Sequence, residues 1–172
     1  MTPEFPMRRW YTLHVKPHKE RTVAEYLTQQ RVPVFPALVR VQPKNPRAAR
    51  WRPYFPGYVF VQVDLSDVGA GYLDWLTGAY GLVRFGGEPA VVPETLVGEL
   101  RRRLQALNAG GGWRPDDLRA GERVRIVQGP FQGYEAIFDE RLPGKDRVQV
   151  LLAFLSHYPQ RVQLDSADIE KL

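Results

Sequence analysis

The chain has 172 residues, 44% apolar and 25% charged, with no cysteine and a formal net charge of +5. That balance is globular, long enough for one medium or two small domains, and it excludes a disulfide framework or a thiolate metal site. No apolar run approaches the roughly 18 residues that span a bilayer, and MTPEFPMRRW lacks a signal-peptide core, so a cytosolic protein without membrane contact is expected. The charge is uneven. Residues 1–116 hold 16 Lys and Arg against 10 Asp and Glu, whereas 117–172 hold 8 against 9. A basic first part hints at a polyanion contact there, beside the plainer reading of a solvated basic surface.

In chain order, WYTLHVK (10–16) alternates as a strand, with Tyr11, Leu13 and Val15 on one face and Trp10, Thr12, His14 and Lys16 on the other. KERTVAEYLTQQR (19–31) places Val23, Tyr26, Leu27 and Gln30 at helical spacing. VPVFPALVRVQP (32–43) reads as an irregular strand broken by prolines. RPYFPGYVFVQVDL (52–65) supplies the next strand, apolar on both faces, with Val59, Val61 and Val63 opposite Tyr58, Phe60 and Gln62. Such a strand is core by default, yet Tyr and Phe are also favoured at interfaces. Ser66 is placed to cap a short helix through Trp75, weakened by Gly69 and Gly71. GLVRFG (81–86) is a further strand. PETLVGELRRRLQALN (93–108) is the strongest helix, with proline and glutamate at its start and Leu96, Leu100, Leu104 and Leu107 in one stripe.

NAGGGWRPDD (108–117) extends neither helix nor strand and reads as a flexible linker. Beyond it, ERVRIVQ, YEAIFDERL, RVQVLLAFL and RVQLD are short apolar segments separated by GPFQG, PGKD and SHYPQ, which favours a small β-barrel. The run Val150, Leu151, Leu152, Phe154, Leu155 is too continuous for periodicity to separate strand from helix. The prolines and glycines around it tip the expectation to strands. The whole is read as α+β, with domains at 8–107 and 118–172 joined by 108–117.

Catalytic patterns are absent: no phosphate-binding loop, no nucleophile elbow and no His-Glu-x-x-His. His14, His18 and His157 do not have zinc-site spacing, and Asp116-Asp117 and Asp139-Glu140 read as solvated turn residues. No enzyme activity, metal or cofactor is expected. The basic surface says more. No acid occurs between Tyr26 and Val63, where Arg31, Arg40, Lys44, Arg47, Arg50 and Arg52 lie with Trp51 among them. A second cluster, Lys16, His18, Lys19 and Arg21, falls where the first strand enters its helix. Cations that attract phosphates beside rings that stack on bases point to nucleic acid.

WYTLHVKPHKERTVAEYL, YFPGYVFVQVDL, LVRFGGEPAVVP and GERVRIVQGPFQGYEAIF stand in the order and spacing of the NusG family of transcription elongation factors, which the chain resembles from about Arg9 to Leu172. The resemblance implies a ferredoxin-like antiparallel α/β sandwich (the NGN domain) followed by an SH3-like barrel (the KOW domain), whose motif is GPFQGYEAIF. It implies a monomer docking on the clamp helices of RNA polymerase through His14, Phe55, Pro56, Tyr58, Phe60, Phe85, Val97 and Leu100. The helix near Ser66 would meet the opposite jaw of the cleft. Lys16, His18, Lys19 and Arg21 would lie near the non-template DNA strand, and Arg47 and Arg50 belong to the same nucleic-acid reading. The barrel, with Phe131 at a loop tip, would recruit Rho or a ribosomal protein. LVRFGGEPAVVP and GYEAIF resemble specialised paralogues of the RfaH type more than the general factor, and in that paralogue the C-terminal domain rests as a helical hairpin over the polymerase site. The residues leave both a barrel and a hairpin open, and favour the barrel. A ribosome- or RNA-binding module built on the barrel is the alternative reading.

Overall fold

A computed structural model describes residues 7–41, 50–112, 134–140 and 142–157. The chain forms two compact units, Met1–Pro36 with Gly57–Val97, and Ala37–Pro56 with Gly98–Leu172. In the first unit, strand β1 (Arg9–Val15) leads to helix α1 (Glu20–Gln29) and a short edge strand β2 (Val34–Phe35). Strand β5 (Tyr58–Val63), helices α2 (Leu65–Val68) and α3 (Ala70–Asp74), and strands β6 (Ala79–Leu82), β7 (Arg84–Phe85), β8 (Glu88–Pro89) and β9 (Val91–Val92) follow. The sheet order is β2-β5-β1-β6, with β9 also on β1 and every pairing antiparallel. This is the mixed, antiparallel architecture expected of the N-terminal part.

Alternation decides the core. Tyr11, Leu13 and Val15 of β1 and Val59, Val61 and Val63 of β5 share one face and pack with Val23 and Leu27 of α1, Leu73, Leu76 and Leu82. The buried stripe of α1 is Glu20, Val23, Ala24 and Leu27, whereas Tyr26, expected on it, is 44% exposed. The other face of β1 is also closed. Trp10 and Thr12 are buried, and Phe60, the register partner of Thr12, is buried and stacked on Phe35 with centroids 6.2 Å apart. The short helix expected over 66–75 is two helices. Asp64, not Ser66, is the cap, its Oδ1 accepting from Ser66 N at 3.0 Å, and Gly69 at φ 82 breaks the run.

The second unit holds the hairpin β3 (Leu38–Arg40) and β4 (Trp51–Pro53), most of helix α4 (Glu94–Ala109), and helices α5 (Tyr134–Ile137) and α6 (Gly144–His157). α4 ends at left-handed Gly111 and Gly112, with Gly112 N bonded to Leu107 O. Asn108 Oδ1 accepts from Arg40 N at 2.8 Å, so residues 108–112, expected in a flexible linker, are tied to the hairpin.

The expectation of strands at YEAIFDERL and RVQVLLAFL is overturned: both segments are helical where described. The physical reason lies in the spacing. Arg147, Val150, Leu151, Phe154 and Leu155 recur at i, i+3, i+4, i+7 and i+8, a single helical stripe, and all five are buried. Pro143 and Gly144, expected to turn the chain between strands, instead start the helix, with Pro143 O accepting from Asp146 N and Arg147 N. The expected strands at 122–128 and 161–165, the loop with Phe131, and Arg47 lie outside the described residues.

Candidate functional site

In the first unit the second face of the sheet opens at one end, where β5, β1 and β6 present a ring from each strand. Tyr58 is the register partner of His14 and stacks on it, with centroids 4.7 Å apart and planes 8° from parallel. Tyr80 tilts onto the same imidazole at 4.7 Å and is 58% exposed. Partial burial pushes the His14 imidazole below its usual range and the Tyr58 phenol above its own, so both rings are neutral at pH 7. The chain leaving β1 turns through Lys16, Pro17, His18 and Lys19, all exposed, with His18 in the left-handed region. Glu20, buried at the head of α1, accepts from Gly57 N at 2.9 Å, and Val15 N bonds to Gly57 O. The basic turn is thereby fixed beside the start of β5. Arg21 is exposed and paired with Glu25 at 3.1 Å.

Of the remaining expected residues in this unit, Phe85 is half-buried in the β7–β8 hairpin, Phe60 is buried on the sheet, and Val97 is buried on α4. Thus His14, Tyr58, Lys16, His18 and Lys19 come together at one sheet end, while Phe60 is sealed into the packing around Thr12 and Phe35.

In the second unit, Phe55 and Leu100 are completely or almost completely buried and Pro56 is exposed. Phe55 meets Tyr54 edge-on at 5.2 Å. Helix α6 lies on this segment. A Cβ on Gly144 would sit 2.8 Å from Pro56 Cδ, and the fully buried Arg147 lays its guanidinium 3.9 Å from the centroid of Tyr54. Arg147 Nε donates to Tyr54 O at 3.0 Å and Nη1 donates to Leu142 O. Burial raises the Tyr54 phenol far above its usual range and lowers the guanidinium, which remains the cation. Arg103 of α4 bridges to the other helix, 4.6 Å over Phe138 and 3.5 Å from Glu135. An open groove of about 360 Å³ lies between, lined by Tyr54, Leu100, Arg103, Leu104, Leu107 and Phe138. Arg50 is exposed at the hairpin, its carbonyl accepting from Val41 N.

Sequence reasoning missed Tyr54, Tyr80 and Arg147. For Arg147 a signal existed: a lone cation three and four residues before Val150 and Leu151 stands on the stripe those residues define. Tyr80 carried none, because its partner His14 lies on a strand 66 positions away.

The description "Transcription termination factor nusG" fits residues 8–101 as a family model. The chain belongs to the NusG family. The "Transcription termination/antitermination protein NusG" of Deinococcus radiodurans is 29% identical, over 94% of this chain and 98% of that protein. The protein of the same name from Escherichia coli strain K12 is 28% identical, over 98% of each. A solved structure titled "Domain interaction in Thermotoga maritima NusG" is 21% identical, covering 72% of this chain and 75% of that one, at a TM-score of 0.40. Among the described residues no helix is long and apolar enough to cross a membrane.

Proposed function

We propose that the chain is a non-enzymatic transcription elongation and antitermination factor that docks on the clamp helices of RNA polymerase and keeps transcription processive. The observation that carries this reading is the closure around Phe55 and Leu100. These two docking candidates are buried in the same unit as α5 and α6, with Gly144 against Pro56 and Arg147 on Tyr54. Apolar side chains buried in a unit with helices packed on the neighbouring segment are suited to a surface kept closed until a partner takes it, in the manner of an RfaH-type paralogue. In the first unit, the docking candidates His14, Tyr58 and Phe85 are only half-buried and open at rest.

Docking then requires α5 and α6 to leave the 54–56 segment and the α4 groove. Once released, residues 118–172 form the SH3-like KOW barrel, and Phe131 presents it to Rho or a ribosomal protein. Lys16, His18, Lys19 and Arg21 meet the non-template DNA strand, Arg47 and Arg50 serve the same contact with nucleic acid, and the helix near Ser66 faces the opposite jaw of the cleft.

The experiment is retention of the full chain by core RNA polymerase. Tyr58→Ala combined with Phe85→Ala should weaken retention at least tenfold without loss of the cooperative unfolding transition, since neither side chain is in the core cluster. Unchanged retention would show that docking lies elsewhere.

A further inference from the structure

The most exposed large apolar side chain among the described residues is Trp75, at 88%. It closes the C-terminus of α3, its N–H bonded to Gly71 O at 3.1 Å, so its backbone is fixed although its ring is free to solvent. The turn that follows is rigid. Ala79 N bonds to Leu76 O at 3.0 Å, Leu76 is buried, and Gly78 takes φ 90. That turn is fastened to the basic turn of the same unit. Gly78 O accepts from Lys16 N at 2.8 Å, and a Cβ on Gly78 would lie 3.1 Å from Val23 Cγ2 and 3.8 Å from Lys19 Cβ. A large ring and two exposed ammonium groups are therefore carried on two turns fixed to each other.

The neighbouring acids are already engaged. Asp74 accepts from both Arg84 terminal nitrogens, at 2.9 and 2.6 Å, and from Leu82 N, while Glu20 is buried against Gly57 N. The side chains on the two turns include Thr77, Lys16, His18 and Lys19, and the exposed large side chains on the adjoining elements are further rings, Tyr72 and Tyr80. A purely apolar partner surface would leave the ammonium groups unpaired at a cost. A polymer alternating anionic links with flat apolar faces satisfies ring and cations together, and only an unpaired strand offers those faces. We infer that Trp75 is a base-stacking platform for a single-stranded nucleic acid whose phosphates are held by Lys16 and Lys19. This rests on the strand-binding reading of the two lysines and adds the residue that distinguishes unpaired from paired nucleic acid.

The test is fluorescence anisotropy of a labelled oligothymidylate of about 15 nucleotides, within the usual site size, titrated with the full chain across a salt series without polymerase. Trp75→Leu should weaken binding about tenfold and keep the salt slope, and Trp75→Phe should recover most of the loss. Lys16→Ala with Lys19→Ala should make the slope shallower by about 1.4, roughly 0.7 per lost phosphate contact. Duplex of the same length should not respond to Trp75→Leu. Wild-type affinity in Trp75→Leu with the lysine effect intact overturns the stacking role alone. If the lysine variant is also unchanged, the strand-binding reading falls with it. Loss of polymerase retention in Trp75→Leu, with oligonucleotide binding unaltered, assigns the ring to a protein contact instead. Because Trp75 packs little, its variants should keep the wild-type unfolding midpoint.

Discussion

Arg147→Ala should release α6. The side chain is fully buried, donates to two main-chain carbonyls and covers the Tyr54 ring at 3.9 Å. A desolvated cation–π contact is worth about 2 kcal/mol, and each carbonyl left without its donor costs about 1–3 kcal/mol. Loss of the buried aliphatic stem adds about 2 kcal/mol. Against these stands the cost of desolvating a guanidinium, several kcal/mol, which the variant no longer bears. The balance is a net loss of about 3 kcal/mol, or roughly 150-fold in the opening equilibrium. Native-state amide exchange reads it directly: amides of residues 148–157 should exchange about 150-fold faster, while those of β1 and β5 keep their protection. Tyr54→Leu keeps the carbonyl and loses the ring contacts with Arg147 and Phe55, of which only the first holds α6, so about tenfold is expected there. If Arg147→Ala changes exchange of α6 by less than about threefold, the guanidinium does not hold the helix, and the energies assigned to it are wrong.

The same release should raise the affinity of Arg147→Ala for core polymerase, measured by the retention assay, because less free energy is then spent uncovering Phe55 and Leu100. Thr12 is fully buried on β1, and its Oγ1 has no hydrogen-bond partner among the described residues. Thr12→Val keeps the shape and removes the stranded hydroxyl, so thermal unfolding should shift upward, by about 1 kcal/mol; a loss of stability would reveal a hidden partner. Glu99 is held by Arg102 and Arg103 on α4, hydrogen bonds that bring its carboxyl down to about 2. A depressed acid stabilises the fold above its unfolded range and loses that contribution as pH falls from ordinary glutamate values through about 2. Relative to Glu99→Gln, the wild type should therefore lose helicity over that interval by circular dichroism, and parallel acid curves would contradict the pairing.

How much was legible beforehand differs between the two units. Two-residue alternation in WYTLHVK and YVFVQV specified which side chains of β1 and β5 meet the core, and Pro93, Glu94 and the leucine stripe specified α4 within a residue. These signals are local, since a strand or helix repeats its own period. The paired rings of His14 and Tyr58 could be matched only through the family resemblance, because their contact spans 44 positions and is set by strand register.

The last third shows the limit. Val150, Leu151, Phe154 and Leu155 fit a buried helical face as well as a strand buried on both sides, and turn formers such as Pro143 and Gly144 also begin helices. Sequence alone determined that the chain carries a basic, aromatic-rich α+β domain and a segment apolar enough to need cover. What that segment covers was decided by tertiary packing: a helix at 144–157 gains Arg147 over Tyr54 and Gly144 against Pro56, contacts created by residues about 90 positions earlier that no local period can encode.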